Sequence, residues 1–156
     1  MKGLRVYLET TVFNYYFDEN RLGHAETVRL FEAIRNGAME AYTSIYALYE
    51  ITNAPPDKQR KMLRLIENDE IRVVQNTDEV NRLVDSYIRN GLLSENHRLD
   101  CSHIAIASVY GLDCVLSFNF KHINKIRTKK FINLMNLKEG YKEIFICTPM
   151  EVLEDD

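Results

Sequence analysis

Along this chain, short apolar blocks alternate with longer stretches in which apolar positions recur every three or four residues. The blocks at residues 5–8, 40–43, 71–74, 114–116 and 143–147 are mostly compact and rich in β-branched or aromatic side chains, and they predict strands. Few of them alternate with polar residues, which suits strands covered on both faces of a parallel sheet. The longer stretches predict helices. Residues 24–35 put Val28, Phe31 and Ile34 on one stripe, and Asn36-Gly37 supplies a stop. A helix over 45–53 ends before Pro55-Pro56, and one over 58–68 sets Met62, Leu65 and Ile66 on one side. Thr77 caps a helix reaching about Arg89, with Asp78 and Glu79 favouring the positive end of its dipole. A further helix spans 99–110. Thr148-Pro149-Met150-Glu151 is a capping box with proline at the first helical position. The stretch from Gly91 to Arg98 reads as an extended connection, and no repeat or linker interrupts the chain. Strands and helices that alternate in this way predict a three-layer α/β/α domain over residues 1–156, with a mainly parallel sheet of four or five strands.

Polar residues interrupt this pattern where a core would exclude them. The first strand stops at Glu9-Thr10-Thr11, and the fourth stops at Ser117-Phe118-Asn119. Glu50 and Asp100 sit among apolar neighbours in helical stretches. In parallel α/β folds, ligands bind beyond the carboxyl ends of the strands, so these positions point to one site. Taken singly, each residue has an ordinary alternative. Glu9 fits a solvated strand end, Glu50 a surface glutamate, Asp100 a helix-dipole partner and Asn119 a turn residue. Their common placement is the informative feature. Clustered carboxylates repel one another, and a divalent ion removes that repulsion.

Composition narrows the picture little further. A length of 156 residues, 46% hydrophobic and 28% charged, fits one globular domain with a continuous core. No run approaches a membrane span, and the first residues lack a signal peptide's apolar stretch, so a cytoplasmic location is expected. Cys101, Cys114 and Cys147 match neither a disulfide framework nor a zinc spacing and read as buried free thiols. The net charge of −3 argues against a general nucleic-acid coat but leaves room for a local basic surface.

Four stretches, in order, resemble the PIN domain, a metal-dependent nuclease fold. Val6-Tyr7-Leu8-Glu9-Thr10-Thr11-Val12 is similar to its opening strand and first acid. Ser44 through Glu50-Ile51 is similar to its second-acid helix, and Asp100-Cys101-Ser102-His103-Ile104-Ala105 to its third-acid helix. Val115 through His122 resembles the strand and loop carrying its fourth polar position, here Asn119. The resemblance covers Val6 to about Glu151. It departs from the family at Glu9, where aspartate is usual, and at Asn119, where aspartate is frequent. Many bacterial and archaeal members are VapC-like toxins that cut RNA, are usually homodimeric and are held inactive by a partner antitoxin.

The resemblance implies that Glu9, Glu50, Asp100 and Asn119 hold Mg²⁺ or Mn²⁺, directly or through water, to hydrolyse RNA phosphodiester bonds. Thr11 and Asn119 would orient the attacking water, and Ser117 would support this shell by hydrogen bonding. The segment 121–130 carries five Lys or Arg residues and no acid. Lys121, Lys125 and Arg127 are therefore candidate RNA contacts, although such a run is commonly just a solvated helix face. His103, three residues after Asp100, reads best as a packed, hydrogen-bonded histidine, and His122 as a residue near the cleft. The expected function is a metal-dependent endoribonuclease, with an antitoxin partner if it serves as a toxin. The alternative is a weak or inactive PIN-like domain that binds RNA or a protein. A nucleotide-binding doubly wound domain is disfavoured, because no Gly-rich phosphate loop follows the first strand.

Overall fold

Alternation along the central strand splits the core in two. Tyr7 packs into one apolar cluster with Val115 and Ile146, whereas Val6 and Leu8 pack into a second with Cys114 and Leu116. Both clusters are buried, so helices must cover the sheet on each face. The computed structural model describes residues 3–153. Its sheet has five strands, β1 (Leu4–Leu8), β2 (Met39–Ser44), β3 (Arg72–Val74), β4 (Cys114–Leu116) and β5 (Phe145–Cys147), in the order β3-β2-β1-β4-β5. Every pairing is parallel. The predicted strands fall within two residues of these bounds.

The helices are α1 (Thr10–Tyr16), α2 (His24–Arg35), α3 (Ile45–Ile51), α4 (Pro56–Asn68), α5 (Asp78–Arg89), α6 (Arg98–Val109), α7 (Ile126–Glu139) and α8 (Pro149–Val152). Side chains of α5, α6 and α7 fill the cluster around Tyr7, and those of α1, α2 and α4 fill the opposite one. The capping box at Thr148 forms as expected, with the Thr148 N–H donating to Glu151 Oε2 at 2.7 Å.

Several details differ from the sequence expectation. The buried stripe of α2 is Thr27, Leu30, Phe31 and Ile34 rather than one through Val28. Helix α3 stops at Ile51, two residues early, where Asn53 and Ala54 turn back onto Glu50 and Ile51 carbonyls. The connection after Gly91 is not wholly extended, because Glu95–His97 forms a 3-10 turn that runs into α6. Cys147 is half-buried, while Cys101 and Cys114 are buried; all three are free thiols. Among the described residues, no helix is long and apolar enough to cross a membrane.

The strand order positions the site. The chain leaves β1 toward β2 and β3, then returns to β4 on the other side of β1, which opens a crevice beyond the carboxyl ends of β1 and β4. Gly23 lets α2 start close to this edge. Its φ of 106° suits glycine, and an added Cβ would lie 3.0 Å from the Phe118 ring. Phe118 in turn stacks on Tyr15, with ring centroids 3.8 Å apart, and closes one wall of the crevice.

Candidate metal centre

Directly after β1, Glu9 stays extended and donates its N–H to the Leu116 carbonyl of β4 at 3.1 Å. That bond carries the Glu9 side chain over the crevice, where the residue is only 2% exposed. Glu9 Oε1 accepts from Thr11 Oγ1 at 2.5 Å and from Ser117 Oγ at 2.6 Å. Both donors are themselves fixed. Thr11 accepts the Phe118 N–H at 2.8 Å, and Ser117 accepts the Asn119 N–H at 2.9 Å.

Glu50 arrives from the last turn of α3. Its Oε1 accepts from Thr10 Oγ1 at 2.8 Å and lies 2.5 Å from His103 Nε2. His103 is fully buried on α6, and its Nδ1 lies 2.5 Å from the Tyr7 hydroxyl, which is 2.7 Å from Ser44 Oγ. With both ring nitrogens protonated, His103 donates to Tyr7 and to Glu50, and Tyr7 donates onward to Ser44. Burial opposes a charge on His103, but the hydrogen bond to Glu50 and the fields of Glu9, Glu50 and Asp100 outweigh it and raise its pKa. Burial likewise works to raise Glu50, yet His103 and Thr10 hold it below the usual carboxylate range. Glu9 shows the opposite balance. Burial pushes it up despite His103, Ser117 and Thr11.

Asp100 sits in the first turn of α6 with its side chain 17% exposed, and burial raises its pKa. Its Oδ1 accepts from Asn119 Nδ2 at 3.2 Å, and Asn119 Oδ1 accepts the His122 N–H at 3.0 Å. Asparagine is well suited here, since an aspartate would set a second carboxylate against Asp100 where the amide donates. The imidazole of His97 approaches Asp100 Oδ2 at 3.8 Å, and its ring lies 4.0 Å from that of His122. Burial, with His97, Lys121 and Lys125 nearby, lowers the His122 pKa.

Among the described residues, potential ligand atoms within 4.8 Å of one another form two groups, Glu9–Glu50–His103 and His97–Asp100–His122. Glu9 and Glu50 are thus brought together as expected from sequence, whereas Asp100 heads a neighbouring group and interacts electrostatically with Glu50. Each of the three carboxylates has one oxygen engaged by protein donors. Among the described residues, Glu9 Oε2 and Glu50 Oε2 take no protein hydrogen bond, and Asp100 Oδ2 has only the long approach of His97. No buried side-chain polar atom among the described residues lacks a partner, so these oxygens each keep some contact with solvent. Carboxylates oriented in this way fit a hard divalent ion such as Mg²⁺ or Mn²⁺.

The other candidates divide. Thr11 and Ser117 spend their hydroxyl protons on Glu9, and Asn119 spends its amide on Asp100 and the His122 turn. Lys121 is exposed and Lys125 half-buried, neither in an ion pair among the described residues. Arg127 is tied down, donating to the carbonyls of Leu92 and Gly91 at 3.1 Å each. Lys58 of α4 is a further cation near the site. It lines a 250 Å³ hollow beside Thr10, Asn14 and Glu50, and a 200 Å³ hollow beside Thr11 and Phe118. One cation inside a charged helix gives no sequence signal.

VapC20 from Mycobacterium tuberculosis, a sarcin-ricin loop cleaving toxin, shares this architecture, with a TM-score of 0.61 at 14% identity. The match covers 89% of this chain and 98% of VapC20. This chain has a VapC-like PIN fold. VapBC2 from Rickettsia felis, in a structure bound to a DNA fragment from its promoter, also matches the VapC-like fold. Its TM-score is 0.56 at 11% identity, over 92% of this chain and 97% of that one. No family model and no curated protein sequence matches the chain.

Proposed function

We propose that this protein is a metal-dependent endoribonuclease that hydrolyses RNA phosphodiester bonds, of the kind that acts as the toxin of a toxin–antitoxin pair. The observation carrying this reading is that Glu9 and Glu50 bring ligand atoms within 4.8 Å of each other, while Glu9, Glu50 and Asp100 each keep one carboxylate oxygen without a protein hydrogen-bond donor among the described residues. Glu9 and Glu50 would hold the ion directly, and Asp100 would reach it through water or hold a second one. A bound divalent ion supplies an activated water and neutralises charge on the leaving oxygen. Thr11 and Ser117 keep Glu9 from rotating, Thr10 and His103 do the same for Glu50, and Asn119 does so for Asp100. Such fixed orientation lowers the reorganisation needed at the reacting phosphate.

RNA approaching three carboxylates needs cations. Lys121 and Lys125, close to His122 on the Asp100 side, would supply them, and Lys58 of α4 lines a hollow beside Glu50. Charge reversal at Lys121 and Lys125 is expected to weaken RNA binding and to reduce the dependence of log affinity on log salt by roughly 0.7 per lost phosphate contact. Filter binding across a salt series measures both. An unchanged slope would remove these lysines from the RNA path.

A second reading, a PIN-like domain that binds RNA or a protein without cutting, draws support from His103. Its buried imidazole already compensates Glu9 and Glu50. Incubation with single-stranded RNA and Mg²⁺ or Mn²⁺ separates the two. Cleavage that stops on chelation supports the nuclease, and binding without turnover supports the rival. An antitoxin and a homodimer belong to the same proposal. Tyr49 of α3, 60% exposed, offers an apolar contact for either partner.

A further inference from the structure

We propose that His97, Asp100 and His122 form a transition-metal site, separate from the Glu9–Glu50 pocket, that takes a borderline-soft ion such as Zn²⁺. Their ligand atoms already lie within 4.8 Å of one another. Two imidazoles and one carboxylate match a donor set that favours zinc, and disfavours Mg²⁺, which prefers oxygen. Three protein ligands would leave a coordination position for water.

The donors are uncommitted. Neither imidazole makes a hydrogen bond to the protein among the described residues, and Asp100 Oδ2 has only the 3.8 Å approach of His97. The supports behind them are committed. Asn119 holds Asp100 Oδ1 through its amide nitrogen and the His122 N–H through its amide oxygen, so one side chain fixes two ligands. His97 sits at the end of the 3-10 turn, three residues before Asp100, which puts both on one side of the helix entry. Tetrahedral bonds of about 2.0–2.1 Å bring ligand atoms to about 3.4 Å apart. Closing to that separation takes about an ångström of side-chain movement, and both histidines are partly exposed and free to make it.

The site shares Asp100 with the carboxylates proposed for catalysis. A zinc ion seated on the histidines would withdraw Asp100 and suppress RNA cleavage, a consequence that rests on the nuclease reading. The metal site does not rest on it.

Calorimetric titration of the full chain with Zn²⁺ tests the site. One ion per chain is expected, undisplaced by excess Mg²⁺, with affinity falling at least about tenfold in His97→Gln and in His122→Gln. His24→Gln should bind as the wild type does, because His24 Nδ1 lies elsewhere, against the Tyr15 carbonyl at 2.8 Å. Co²⁺ in place of zinc should give visible absorption bands that both variants lose. Wild-type affinity in the His97 and His122 variants, equal loss in His24→Gln, or no binding at all would each overturn the proposal. If cleavage is observed, His122→Gln should keep it in Mg²⁺ and lose its inhibition by zinc. Absence of any cleavage would count against the nuclease and leave the binding result to decide the metal site.

Discussion

Asp100→Asn is expected to lower Mg²⁺- or Mn²⁺-dependent cleavage of single-stranded RNA by about 10³-fold. The substitution keeps the shape of the side chain, and its oxygen can still accept from Asn119 Nδ2. What it removes is the charge, and with it the oxygen that faces the cleft. Metal-based stabilisation of developing charge contributes several kcal/mol, and about 4 kcal/mol corresponds to roughly three powers of ten in rate. The loss should appear in the rate with saturating RNA more than in RNA affinity, because the backbone contacts are proposed for Lys121 and Lys125 rather than for Asp100. Single-turnover cleavage with excess enzyme reads the chemical step. A variant cutting at close to the wild-type rate would take Asp100 out of the mechanism.

His103→Leu should destabilise the fold by about 3 kcal/mol, the lower end for breaking a buried charged pair. Leucine has similar bulk and fills the space between Tyr7 and Tyr46, so a cavity is not the main cost. The cost comes from polar groups. Tyr7 loses a partner in a fully buried position, Glu50 loses its strongest hydrogen bond, and Glu9 remains buried without the neighbouring cation. Glu50 is 29% exposed and can recruit water, which keeps the figure at the low end. For a chain of this size, the melting temperature should fall by about 6–12 °C. His103→Gln, which can still donate toward Glu50, should lose less. Thermal and urea unfolding measure both variants. A change within about 0.5 kcal/mol for His103→Leu would mean that the imidazole does not hold these groups together.

Much of this arrangement is legible before any coordinates are known. The strands are easy to read because parallel strands buried on both faces leave compact apolar blocks, and the fold order follows from their alternation with helices. Glu9 and Ser117 stand out because each ends such a block. Helix α1 does not show itself. Thr10, Thr11, Val12 and Phe13 favour strands, and only packing of Val12 and Phe13 against the second core cluster makes the stretch helical. Helix α7 is masked by its mixed faces, with Leu134 and Leu137 exposed while Thr128 and Asn136 are buried. Burial of Asn136 becomes intelligible only through Tyr87 and Ser108, which hydrogen-bond to it from other helices.

The site divides along the same line. Residues placed by a local signal, such as a strand end or a helix start, could be named from sequence. The pairing of His103 with Glu50 joins residues 53 positions apart, and no local pattern encodes it. His97 lacks a pattern for a related reason. It meets Asp100 through a 3-10 turn in what looks like an ordinary loop, and it meets His122 only because β4 and α6 are neighbours. Arg127 carries a second role that its basic run does not signal, since its guanidinium donates to two backbone carbonyls.

Mn²⁺ titration followed by electron paramagnetic resonance bears most directly on whether the crevice is a cation trap assembled from distant parts of the chain. Binding to Glu9→Gln and to Asp100→Asn should each be at least about tenfold weaker than to the wild type, with thermal melts confirming that both variants remain folded. Glu9→Gln binding Mn²⁺ as tightly as the wild type would contradict the account.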